Sequence, residues 1–292
     1  MTRRKSWMLT AAVTVTILIV GLVTRNQVKV YRNRVKGYEE SRAREAVIQR
    51  RQTLYDMLQP VALTNCRLER FGETHDGGYL MCANLLDAVR SGYSYGISGY
   101  DKWGCDISSR LDIPLHQYDC FDTTQPECPT GRTVFHAECV GNTSKIDSGR
   151  SFDTIPNQIA RNGDSAKHIV LKIDVEGAEW DSFAATPDDV LQQIDQLAVE
   201  FHWVHVKKQW VQDEEKYVRV VSRLKEFFHV AHIHYNNYSC VTGLEPFPAW
   251  AYEVLFVSKR LGVADTGPKP RGLPSVDAPN NPKIADCQAA VP

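Results

Sequence analysis

Ile169-Val-Leu-Lys-Ile-Asp-Val-Glu-Gly-Ala-Glu-Trp180 decides how the rest of the chain reads. It opens on an apolar, β-branched run, the composition of a strand buried on both faces. Carboxylates then crowd in at Asp174, Glu176 and Glu179, with Gly177 among them to allow a tight turn or a close backbone approach. Alternation along a strand puts Lys172, Asp174 and Glu176 on one face and Leu171, Ile173 and Val175 on the other. Unpaired buried charge is costly, so the charged end either lies at a sheet edge or opens into a polar crevice. The apolar residues before Lys172 favour the crevice. In open α/β sheets, ligands bind outside the carboxyl ends of the strands.

A second stretch, Gln196-Leu-Ala-Val-Glu-Phe-His-Trp203, repeats the pattern of an apolar run ending in polar chemistry. Glu200 and His202 are two apart and share a face. If the two strands are neighbours, Asp174, Glu176, Glu200 and His202 converge on one pocket.

The 292 residues suffice for one good-sized domain with appendages. A net charge of −1 argues against a nucleic-acid binder built on phosphate neutralisation. The 8 cysteines include no C-x-x-C pair, which argues against a zinc ribbon or a thioredoxin motif. Their even number suits disulfides in an oxidising compartment, although a domain of this size does not require them. Two glycosylation sequons, Asn142-Thr-Ser and Asn237-Tyr-Ser, lean the same way.

At the N-terminus, Arg3-Arg-Lys5 precedes an uncharged run from Ser6 to Thr24 that is about as long as a bilayer requires. Residues 1–25 read as an uncleaved signal-anchor helix, with no clear cleavage site before the basic stretch that follows. The positive charges after it would by themselves hold the chain in the cytosol, whereas the cysteines and sequons point to the lumen of the secretory pathway, such as the Golgi. Long domains can translocate despite flanking charge, which favours the lumen. Residues 26–65 read as a charged helical stem ending near Pro60. Residues 66–260 read as the globular domain, and residues 261–292 as a Pro-rich disordered tail.

Within the domain, Asp76-Gly-Gly-Tyr79 is a hairpin signal. Ser91-Gly-Tyr-Ser-Tyr-Gly-Ile-Ser-Gly99 reads as a strand running into a glycine turn ahead of a helix near Cys105–Leu111, the unit that brings backbone amides to a cofactor. Its spacing is not G-x-G-x-x-G. A second strand, Leu115 to Asp122, ends in an acid placed to hold ribose hydroxyls; the competing reading of Asp122 is a turn aspartate. Thr133–Gly141 reads as the third strand, Ser151–Asn162 as a helix, Ile169–Val175 and Leu197–Trp203 as the fourth and fifth strands, and Asp213–Phe228 as an amphipathic helix. Val230–Tyr235 and Trp250–Ser258 complete seven. His232 and His234 share a face and read as satisfied histidines rather than metal ligands.

The run Leu171–Trp180 resembles the signature of FkbM-type methyltransferases. With Asp76-Gly-Gly-Tyr79, Tyr93-Ser-Tyr-Gly-Ile-Ser98 and Val199-Glu-Phe-His202, it looks like the membrane-anchored, methyltransferase-like members of that group. The resemblance covers about residues 66–258. It implies an α/β, Rossmann-like class I fold with a seven-stranded sheet whose last strand is antiparallel, S-adenosylmethionine as cofactor, and O-methylation. It implies that Gly96, Ile97 and Ser98 meet the methionine part, Asp122 the ribose, Glu138 the region of the adenine, and Asp174 the methyl donor. The glycine loop and the Thr123 that follows Asp122 depart from the usual family pattern.

A hydroxyl acceptor must lose a proton. His202 is the first choice of base, oriented by Glu200, with Asp174 or Glu176 as substitutes. A third reading is a divalent ion, Mg or Mn, held by Asp174, Glu176 and Glu200. The acceptor expected of a luminal enzyme is a glycan hydroxyl. Two rivals stand beside this: a metal-dependent Golgi glycosyltransferase using Asp174-Val-Glu176 as its acid-x-acid motif, and a membrane-tethered binding protein that keeps the fold without catalysis.

Overall fold

The structure, a computed structural model, describes residues 3–203, 210–265 and 275–287; over 3–26 and 210–213 it describes the helical backbone and not the side chains. The chain divides into two compact units, residues 1–49 and 50–292. The first is occupied by helix α1 (Arg3–Met57), which continues into the second. The anchor expected over residues 1–25 falls where the side chains lie outside the described residues. Among the described residues, no helix is long and apolar enough to cross a membrane.

The second unit begins with the end of α1, where Leu54 and Leu58 are fully buried. Strands β1 (Leu68–Gly72) and β2 (Gly78–Cys82) form the hairpin that the Asp-Gly-Gly turn predicts, closing at the Gly72–Gly78 pair. Then come β3 (Ser91–Tyr95), α2 (Lys102–Leu111), β4 (Pro114–Tyr118) and β5 (Arg132–His136). Helix α2 starts where the Asp101 carboxylate accepts from Gly104 N at 2.8 Å. Strands β6 (Cys139–Val140), β7 (Lys145–Asp147) and β8 (Arg150–Asp153) form a small separate sheet ahead of α3 (Ile155–Arg161). The chain ends with β9 (Ile169–Ile173), α4 (Glu179–Ala185), α5 (Asp188–Leu191), β10 (Ile194–His202), α6 (Trp210–Phe227), β11 (Phe228–Tyr235) and β12 (Ala251–Ser258).

The main sheet has seven strands in the order β11-β12-β10-β9-β3-β4-β5. β12 pairs antiparallel with both β10 and β11, while the pairs from β10 to β5 are parallel. The last strand in sequence is therefore the reversed one, as the resemblance implies. Every residue of β9 is buried, which bears out the reading of a strand covered on both faces. Leu171 and Ile173 face the larger core with Trp180, Phe201 and Tyr217, while Val170 faces the other with Trp103 and the hairpin residues Phe71 and Met81. The strand order reverses between β3 and β9, a switch point where a crevice opens at the carboxyl ends.

Several local expectations give way. The third expected strand divides into β5 in the main sheet and β6 in the small one. The helix expected from Ser151 begins only at Ile155, because Thr154 caps it and Pro156 stands in its first turn. All eight cysteines are paired, as Cys66–Cys82, Cys105–Cys128, Cys120–Cys139 and Cys240–Cys287. Part of the expected disordered tail is held in place. Cys287 is tied to Cys240, Asp277 accepts from Arg70 at 2.9 Å, and Asn280 donates to Glu253 at 2.7 Å. Residues 266–274 and 288–292 of that tail lie outside the described residues. Asn237, in the second sequon, is buried and donates to the carbonyls of Asn281 and Ile284, so a glycan there is incompatible with the fold. Asn142 is exposed.

Candidate active site

At the switch point the carboxyl ends of β3, β4 and β9 surround a cavity of about 320 Å³. Its lining includes Gly96, Ser98, Tyr118, Asp119, Asp174 and Glu176. The turn after β3 can lie this close to β9 because residue 96 is glycine. Its φ is 72°, and a Cβ there would stand 1.6 Å from the Asp174 carbonyl oxygen. Ser98 and Glu176, neither a glycine, also have positive φ at 44° and 52°. Such backbone persists only where the surroundings enforce it.

Asp119, immediately after β4, organises the turn. Its Oδ2 accepts from the N–H groups of Ile97 at 3.0 Å and Ser98 at 2.9 Å, and its Oδ1 from Phe121 at 2.8 Å and Asp122 at 3.1 Å. Asp122, the acid expected to meet a ribose, is outside the cavity lining. Its carboxylate accepts from Thr124 N, and that bond lowers its pKa. The strand stops at Tyr118, four residues short of Asp122, and this puts Asp119 at the crevice in its place. Glu138 is also outside the lining. It accepts from Gln158 at 3.0 Å and pairs with Arg161. Its neighbours Cys139 and Val140 form that wall, fixed covalently by Cys120–Cys139. Tyr118, Phe121 and Phe152 give the wall three aromatic rings.

On the other side of β9 the chemistry changes. Asp174, Glu200 and His202 bring donor atoms within 4.8 Å of one another. Three of the four residues expected to converge do so; Glu176 is not part of this cluster. Glu200 and His202 are buried behind the cavity and do not line it. Glu176 is exposed, its Oε2 3.8 Å from His202 Nε2. Lys172, buried beneath, donates to Gly96 O at 2.9 Å and lies 3.5 Å from Asp174 Oδ2, so it links β9 to the glycine turn. Tyr79, from the Asp-Gly-Gly-Tyr motif, donates to Asp174 Oδ2 at 3.2 Å. Burial and the Asp174 charge raise its pKa far above the ordinary value, so it remains a donor.

Glu200 Oε1 stands 3.9 Å from His202 Nε2, beyond hydrogen-bond reach, so it does not orient the ring. Glu179 is fully buried and takes His202 N on Oε1 at 2.6 Å and Gly177 N on Oε2 at 2.8 Å, with His202 Nδ1 3.4 Å away. Glu200 accepts from Asn236 at 2.8 Å instead. Burial pulls the His202 pKa down, but Glu179, Glu200 and Asp174 outweigh it and hold the pKa at about 9. The raised pKa favours the protonated ring at neutral pH, which works against its expected role as the base. Glu200 is raised well above the carboxylate range by burial, then by Asp174 and Glu253. Glu253, opposite Glu200 on β12, is pushed up to about 7, mainly by burial.

Asp119, Glu179, Tyr79 and Lys172 are the site residues that sequence reasoning did not assign. Asp119 had a signal, since it is the first acid after the strand that begins at Pro114. Glu179 had one as an acid in the first turn of a helix, which reads equally well as a partner for the helix dipole.

No family model and no curated protein sequence matches this chain. Among solved structures, the methyltransferase FkbM from Methylobacillus flagellatus KT is similar at 12% identity and a TM-score of 0.35, over 60% of this chain and 46% of that one. The chain therefore spans less than half the length of that protein. The fibrillarin pre-rRNA processing protein of Methanococcus jannaschii is similar at 10% identity and a TM-score of 0.33, over 60% of this chain and 69% of that one.

Proposed function

We propose that this chain is an S-adenosylmethionine-dependent O-methyltransferase, carried on an N-terminal membrane anchor with its catalytic unit in the secretory lumen. The observation that carries the reading is the cavity at the switch point, with the Gly96 turn laid against the end of β9 and Asp119 beneath it. The volume lies within the range of small-molecule sites. The aromatic wall of Tyr118, Phe121 and Phe152 suits a purine, and the turn ordered by the acid after β4 suits a ribose laid against its backbone. All four acceptor positions of Asp119 already hold backbone N–H groups. Its work is to shape the turn. Four disulfides support an oxidising compartment.

When bound, the cofactor supplies an activated methyl group on a sulfonium; the protein has to place a hydroxyl in line with it and remove a proton. Asp174 stands between the two halves of the site, oriented by Tyr79 and Lys172. His202, already protonated, balances the carboxylates around Asp174 and cannot take a second proton. Asp174 or Glu176 accepts the acceptor's proton in this scheme. A divalent ion on Asp174, Glu200 and His202 would need His202 to release its proton first. The exposed mouth at Glu176 suits an acceptor presented from outside, such as a glycan hydroxyl.

Calorimetric titration of the full chain with S-adenosylmethionine tests the reading, with UDP-sugar plus Mn as the competing titrant. Saturable 1:1 binding of the former is expected. Binding of the sugar nucleotide alone would support the glycosyltransferase instead. A folded chain that binds neither would leave the tethered binding protein.

A further inference from the structure

We propose that His232, His234 and Asp277 form a zinc site that fastens the C-terminal segment to the edge of the sheet. It lies apart from the cavity, and its standing does not depend on methyl transfer. β11 is an edge strand, so its backbone and side chains need a cover. His232 and His234, two apart, project from one face of it. The third group arrives from a segment more than forty residues further on, brought near by the Cys240–Cys287 bridge.

Both histidines approach one oxygen. His232 Nε2 is 3.1 Å and His234 Nδ1 3.0 Å from Asp277 Oδ2, and the three residues' donor atoms lie within 4.8 Å of one another. The other oxygen, Oδ1, is taken by Arg70 at 2.9 Å and by Ala278 N at 2.9 Å. That arrangement fixes the carboxylate, as outer partners do in metal sites, and Oδ2 meets only the two rings, hydrogen-bonded to His234 Nδ1 at 3.0 Å; a zinc ion would take the place of that proton. Zinc bonds of about 2.0–2.1 Å put tetrahedral neighbours roughly 3.3 Å apart, and the two nitrogen–oxygen separations here, 3.1 and 3.0 Å, are close to that.

A plain hydrogen-bonded His–Asp–His cluster explains less. His232 Nε2, despite its distance, makes no hydrogen bond, because its ring is not directed at the oxygen. His234 Nε2 and the nearby Asn280 Oδ1 are also buried without a partner among the described residues. His232, His234 and Asn280 are 6%, 2% and 3% exposed, so bulk solvent does not reach them. Two imidazoles with a carboxylate are borderline ligands that suit zinc over magnesium or calcium.

The test is elemental analysis of the full, untagged chain purified without chelators. About one zinc per chain is expected, falling below a tenth in His234→Gln and in Asp277→Asn, and staying near one in His202→Gln. A variant that misfolds would also lose metal, so the wild type is stripped with a chelator and followed by thermal melting. Its Tm is expected to fall and to recover with ZnCl2 but not with MgCl2. A folded wild type that holds no zinc and takes none from ZnCl2 would overturn the proposal. So would an unchanged Tm after stripping, a different metal at full occupancy, or zinc lost in His202→Gln and kept in His234→Gln.

Discussion

The two halves of the site, divided by β9, are built from different materials. On the β3–β4 side the wall is backbone, aromatic rings and a disulfide, and its one buried acid, Asp119, is fully occupied by N–H groups. On the β10–β12–β11 side a row of ionisable groups crosses the strands. Glu200 lies opposite Glu253, and Glu253 opposite His234. Asp119 adds little strain, because each of its oxygens is answered. The second half keeps charges that answer one another only in part, which is why Glu200 and Glu253 are pushed up and His202 is held protonated. One half is shaped to receive a molecule of fixed form, and the other to handle charge.

The largest expected effect breaks the charged half. Glu179→Ala strands the His202 imidazolium and two backbone N–H groups in the interior, and should cost ~3–5 kcal/mol in denaturant unfolding. Gly96→Ala attacks the line between the halves, since its methyl group would collide with the Asp174 carbonyl. Cofactor affinity should fall about 100-fold in calorimetry, a loss of ~2.7 kcal/mol. Asp119→Asn turns one oxygen into a donor facing N–H groups, so affinity should drop roughly tenfold or more. Asp122→Asn should change it less than about twofold, being a surface substitution; the reverse ranking of the two aspartates would overturn the assignment.

The pH dependence sharpens the comparison. The His202 pKa is raised in the folded state, from 6.5 to about 9. Its stabilising contribution is complete below pH 6.5 and is lost as pH rises through 9. The Tm should therefore fall between pH 7 and 9.5, and fall less in His202→Gln.

The same contrast explains what the sequence disclosed. All seven sheet strands were legible: β9, β10 and β12 as largely apolar runs, and β3, β4, β5 and β11 as segments with aromatic or β-branched residues among polar ones. The convergence of Asp174, Glu200 and His202 followed from alternation on adjacent strands. Asp119 was missed because the polar Asp-Cys-Phe-Asp stretch hides where β4 ends, and a shift of a few residues moves the site acid. Glu179 as the partner of His202 depends on how α4 meets β10, which no local pattern encodes. The meeting of Asp277 with His232 and His234 is more remote still, since it joins two segments across a disulfide whose pairing the spacing leaves open.

The most direct test of the two-sided account is amide hydrogen exchange with and without S-adenosylhomocysteine. Protection is expected to be confined to residues 95–99, 118–122 and 139–141 and the end of β9, with β11 unchanged. Protection centred on residues 230–236, or none in a chain shown to bind the ligand, would contradict it.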